Sequence, residues 1–182
     1  MMRLQRRIWR RFAKSTRGIA AVEFAMVAPV LSVLFLASLD GGRAIAVYMK
    51  VRAASYTLAA ISNQYPVISD ATMSQIFTAT TDVLAPYPTA SLGLTVSGIA
   101  IDATGRATVN WSSTQGGAAM AVPSTVTVPA SLDIPNTFLV LSSVSYQYTP
   151  LFGFFGSGTA INLSDYLHVA PRSTPSITRT SP

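Results

Sequence analysis

The stretch TRGIAAVEFAMVAPVLSVLFLASLDGG, Thr16 to Gly42, decides how the chain is organised. From Ile19 to Leu39 it holds 21 residues and a single charge, Glu23. At ~1.5 Å per residue a helix of that length reaches about 31 Å, close to one bilayer hydrocarbon core. A cleaved secretory signal has a shorter apolar core, about 7–15 residues, and a small-x-small cleavage site. Here Ala37-Ser38-Leu39 followed by Asp40 makes a poor site. Pro29 lies inside the run and removes one helical hydrogen bond, so it marks an expected mild kink, which neighbouring groups in a membrane can compensate. Glu23 is the anomaly. An ionised side chain at mid-bilayer costs about 2.5–3.5 kcal/mol even on the gentler insertion scale. Glu23 is five residues past Gly18, a depth of roughly 7 Å. Snorkelling to the headgroups or a partner charge must account for it.

On the amino-terminal side, residues 1–18 hold seven bases and no acid, while the remaining six bases are outnumbered by seven acids. The net charge of +6 is therefore a property of the tip. A basic run can be a nucleic-acid arm. This one abuts an apolar segment and has no basic face elsewhere, which is the pattern of a cytoplasmic membrane flank. The expected orientation places the amino terminus in the cytoplasm and everything from Asp40 onward outside the inner membrane. Arg43, Lys50 and Arg52 weaken the asymmetry without reversing it. Arg10-Arg11-Phe12 brings its phenylalanine one residue early for a twin-arginine export signal. Only 11% of the 182 residues are charged, against about 25% in ordinary soluble domains. With no cysteine, disulfides and thiolate metal sites are excluded.

Gly18 closes the basic run and Glu23 is the fifth residue after it. This spacing resembles the prepilin processing signature. The fuller pattern Arg17-Gly18-x-Ala20-Ala21-Val22-Glu23-Phe24-Ala25 with Ala28-Pro29 resembles TadE/TadG-like pseudopilins of the tight-adherence (Flp) pilus systems. Asp40-Gly41-Gly42-Arg43 with Val47-Tyr48 also fits, and residues 144–151 and 161–164 resemble the closing strands of those proteins. The resemblance implies cleavage by a prepilin peptidase between Gly18 and Ile19. It also implies assembly with other pilins or pseudopilins on a pilus platform. Cleavage would give Ile19 a new ammonium, one helical turn from Glu23, and that ammonium or one on a neighbouring subunit could pair with the carboxylate. Major Flp pilins resemble the helix alone and carry Glu-Tyr. Glu23-Phe24 and about 140 further residues imply a minor pseudopilin that joins a fibre and has no enzymatic role.

Beyond the span, Val47, Val51, Ala54, Leu58 and Ile61 make one helical stripe, expected to pack on the chain's own domain rather than in a coiled coil. The helix is expected to run on past Gly41-Gly42 and end near Asn63. Ser69 or Asp70 caps a second helix whose inner face is Met73, Ile76, Phe77, Thr80, Val83 and Leu84. The period then changes to two. Strands are expected over 92–102, over 107–111 after the turn Asp102–Arg106, over 137–148 and finally over 161–169. Residues 126–128 could add a short edge strand. In 137–148, Leu139, Leu141 and Ser143 are assigned one face and Val140, Val144, Tyr146 and Tyr148 the other, with a shift in register between them. The expected fold is α+β and pilin-like, with a long transmembrane helix, a short helix and an antiparallel sheet of about four strands. Its parts are a leader (1–18), a span (19–40), a periplasmic domain (41–172) and a flexible tail (173–182).

No residue set for catalysis is visible. The single histidine, His168, stands three residues from Asp165 and on the opposite strand face. The acids are scattered singly, so no metal site or cofactor is expected, and no small-molecule substrate is evident. Gly153, Gly156 and Gly158 lack the lysine and the strand-to-helix setting of a phosphate cradle. Phe152, Phe154 and Phe155 in the same turn either cover the core or anchor a partner or the bilayer surface. A second reading of the whole chain is an uncleaved, membrane-anchored periplasmic binding module.

Overall fold

The computed structural model describes residues 17–153 and 160–180. Most of the leader, Phe154, Phe155, Gly156 and Gly158 lie outside the described residues. Helix α1 (Arg17–Ser62) runs for 46 residues without a break at Pro29 or at Gly41-Gly42. Its two halves have different surroundings. Over 18–39 nearly every side chain is exposed; from Asp40 onward a buried stripe appears at 40, 47, 51, 54, 58 and 62. The expected stripe is therefore realised. Val47, Val51, Ala54 and Leu58 are fully buried, and Ile61 packs at the margin of the same core.

After a short strand β1 (Val67–Ser69), helix α2 (Asp70–Asp82) starts where expected. Ser69 is its N-cap: the hydroxyl accepts from the Thr72 amide at 3.2 Å and satisfies a donor the first turn cannot pair internally. Met73, Ile76, Phe77 and Thr80 face inward, and Leu84 is fully buried just beyond.

The sheet comprises β2 (Leu92–Ile101), β3 (Ala107–Gln115), β4 (Phe138–Tyr148) and β5 (Ile161–Val169), antiparallel throughout, in the order β3-β2-β4-β5. The β2–β3 turn is held by Asp102, whose carboxylate accepts from the Thr104 hydroxyl and from the amides of Thr104 and Arg106. Those bonds, the Thr104 hydroxyl foremost, keep the Asp102 carboxyl below its usual range. Gly105 takes the positive φ (81°) that closes the turn.

One sheet face packs on α1 and α2 and makes the main core, with Leu92, Leu94, Val96, Trp111, Phe138, Val140, Val144, Tyr146 and Tyr148. Ser142, among them, donates its hydroxyl to the Ser55 carbonyl of α1 at 3.2 Å. The opposite face has a smaller core of Ile99, Ile101, Ala107 and Leu139, covered by Val126, Val128 and Leu132.

Three expectations need correcting. Strand β4 needs no register shift: all its even-numbered residues from 138 to 148 are buried and face the helices. Both cores claim apolar residues at its start, so Phe138, Leu139 and Val140 are buried in succession and the alternation is hidden. The edge strand at 126–128 is not formed; the segment meets β3 through one bridge, Thr108 to Thr125, and flanking backbone bonds. The tail expected to fray carries strand β6 (Thr178–Thr180), paired in parallel with β1. Ile177 is buried in the main core, its carbonyl accepts from Trp111 Nε1 at 2.8 Å, and Arg179 ion-pairs with Asp70.

Candidate membrane span and assembly segment

The exposed half of α1 is long and apolar enough to cross a membrane. Its side chains are those least suited to water: Ile19, Val22, Phe24, Met26, Leu31, Leu34 and Phe35 are all largely exposed. A soluble head does not leave so continuous an apolar surface bare unless something covers it. Gly18 and Ile19 lie in the first turn of the helix, and no described residue outside that turn's own backbone comes within 4 Å of where a Gly18 side chain would stand. Glu23 is exposed on this surface, four residues from Ile19 and hence on the same face. Phe24 and Pro29 are exposed as well. Over 18–35 almost every described side chain is exposed, which leaves this part of the helix open for lipid or for another helix.

The span ends at a residue whose role the sequence does not disclose. Asp40 is buried, 1% exposed. Its carboxylate accepts the Leu151 amide at 3.0 Å and the Phe152 amide at 3.1 Å. The Tyr148 hydroxyl reaches the Asp40 carbonyl at 3.5 Å, and burial raises the Tyr148 pKa above its usual value. The two amide donors satisfy a carboxylate that solvent barely reaches. Asp40 and Leu151 are 111 residues apart, so no local spacing signals the contact. The turn carrying Phe152 is thus tied to the end of the span. Leu151 is 66% exposed and Phe152 44% exposed.

On the far face of the sheet, an open cleft of about 490 Å³ is lined by Thr95, Met120, Leu141, Ser143, Tyr166 and His168, among others. Tyr166 and His168 share this face, their rings edge-on at 5.9 Å. Partial burial holds the His168 pKa below the usual imidazole value, so the neutral ring is favoured in the folded chain. Acidification through about pH 6.5 protonates the unfolded chain first and withdraws stability, and the loss levels off once the folded ring also titrates. His168→Gln is expected to flatten the fall in melting temperature between about pH 7 and pH 5.5. With one histidine in the chain, thermal melts of the two proteins isolate this contribution. Among the described residues no group of three or more metal-ligating side chains occurs.

A family model described as TadE-like protein matches residues 18–60. The match starts at Gly18, the second residue of α1, and stops two residues short of the end of that helix. No curated protein and no solved structure matches the chain. Over residues 18–60, less than half of the chain, the sequence is therefore similar to the TadE-like family, which is consistent with a TadE/TadG-like protein of the Tad pilus system.

Proposed function

We propose that the chain is a minor pseudopilin in the assembly of a tight-adherence (Flp/Tad) type IV-like pilus. The observation that carries this reading is the TadE-like match over a helix whose first half is apolar and largely exposed, apart from one acid just over one turn inside it. The basic leader keeps the amino terminus in the cytoplasm and the head enters the periplasm, by the positive-inside rule. A prepilin peptidase cleaves after Gly18 and liberates the Ile19 ammonium. Glu23, near the membrane surface, pairs with that ammonium or with one on a neighbouring subunit as the helix enters the fibre base or tip. Pairing offsets the desolvation of the carboxylate in a dry helix bundle. The role is structural: α1 supplies packing surface to pilin helices and the platform, and the head supplies a distinct end group.

The mass of the mature chain tests the reading. Loss of residues 1–18 in cells that carry the candidate peptidase, and their retention in cells without it, is expected. A native chain that keeps the leader favours the second reading, an uncleaved anchored binding module, which the cleft beside His168 supports. Glu23→Ala is expected to insert normally, because it removes a cost of about 2.5–3.5 kcal/mol at most, and to reduce surface pili several-fold by quantitative shearing and immunoblot. Normal piliation from that variant would argue against the pairing role.

A further inference from the structure

We propose that the turn at Leu151–Phe152 is a second membrane contact, immersed at the outer hydrocarbon boundary beside α1, with Asp40 as the residue that positions it there. The proposal rests on α1 spanning a bilayer. Its occupant is the lipid acyl–headgroup boundary, and the reason is continuity with the span.

The apolar run ends at Leu39, and the next residue, Asp40, binds the turn through the amides of Leu151 and Phe152. Side chains on a helix lean toward its amino terminus, so the Asp40 carboxylate lies over the turn that precedes it. The residues it holds are therefore drawn down onto the last turn of the span, within about 6 Å of the level of Asp40. The burial pattern agrees. Leu36 and Ala37, four and three residues before Asp40 and on its face, are half-buried, whereas 29–35 are exposed. Leu39, Leu151 and Phe152 meanwhile keep large outward exposure at this level.

Satisfying Asp40 with amide protons is what allows a carboxylate to sit at this depth; a hydrated one would hold the turn away from lipid. Arg43, one turn further and exposed, is placed to reach headgroup phosphates. A span alone would leave the tilt of the head set only by the tilt of α1, which is continuous with it. An interfacial apolar turn beside it gives the head two points of contact with the surface and so a fixed tilt.

The chain has no cysteine, so single thiols can be placed without background. Full-length Leu39→Cys, Leu151→Cys and Tyr166→Cys chains would carry a bimane fluorophore and be reconstituted in vesicles of phosphatidylethanolamine and phosphatidylglycerol doped with shallow nitroxide lipids. Leu39 reports the span, and Tyr166 the sheet face remote from the helices, where it is 67% exposed. Quenching at position 151 is expected to match that at 39 within about twofold and to exceed that at 166 at least about fivefold, given an insertion of about 5–10 Å. Strong quenching at 39 with only the level of 166 at 151 overturns the proposal and leaves the span intact. Weak quenching at 39 overturns the span reading and the proposal together. Adding Asp40→Ala to the Leu151→Cys chain is expected to drop its quenching to the level of 166 while the head still melts cooperatively. Unchanged quenching in that double variant would remove Asp40 from the proposal.

Discussion

Trp111→Ala is expected to lower the stability of the head by about 3–5 kcal/mol, the range for emptying a buried aromatic site. Trp111 is 8% exposed and joins three parts of the fold. Its ring lies against Gly98 on β2, where even a Cβ would collide with the indole and with Phe138. It belongs to the main core, and its Nε1 donates to the Ile177 carbonyl at 2.8 Å. Removing it leaves a void beside a residue with no side chain to relax into it and orphans a buried carbonyl, and both losses fall within that range. At ~2–4 °C per kcal/mol for a chain of this size, the melting temperature should fall by roughly 6–20 °C. Far-UV circular dichroism of the full chain in detergent reads that shift. The carboxy-terminal strap should loosen with it. Arg179, which bonds Ser113 Oγ at 3.0 Å and the Ile68 carbonyl at 3.1 Å, should become a trypsin site under native conditions. Trp111→Phe, which keeps ring packing but not the donor, should fall between the two. A melting temperature unchanged by Trp111→Ala would mean that the strap and the Gly98 contact do not hold the sheet together.

Leu58→Ala is expected to cost about 2–5 kcal/mol, the range for deleting buried methyl groups without collapse of the site. Leu58 is fully buried at the centre of the α1 stripe, where the helix faces the sheet and α2. Helical propensity is not at issue, because alanine is the better helix former. The loss falls on the packing between α1 and the rest of the head. The span, whose helix needs no contact with the head, should stay helical while the head melts earlier, by roughly 4–20 °C. Met49→Ala, on the same helix but 67% exposed, should move the transition by less than about 0.5 kcal/mol and serves as the control.

The long helix was legible because each half announces itself locally. Twenty-one residues with one charge are long and apolar enough to span a membrane, and Val47, Val51, Ala54 and Leu58 repeat at helical spacing. Helix α2 was legible for the same reason, from a serine cap followed by a periodic apolar face. The processing-type spacing of Gly18 and Glu23 is likewise a matter of near neighbours along the chain.

The tertiary structure alone decided what depends on distant neighbours. The faces assigned to the residues of β4 are those the structure shows, but its unbroken register was hidden because the start of the strand lies between two cores, where apolar residues on both sides mask the period-two signal. The order of the tail depends on the indole of Trp111 and on β1, 66 residues away for the hydrogen bond and 111 for each β1–β6 pairing step from Val67 to Thr178. A sequence of prolines and serines carries no mark of such a partner. In the sequence Asp40 marks only the end of the apolar run; the fold brings two amides to it from 151 and 152. Helices are made of contacts three and four residues apart, and such contacts can be read along a sequence. Strand pairing, capping across the chain and burial of a lone charge require loop closure over long separations, and only the assembled core selects which closure occurs.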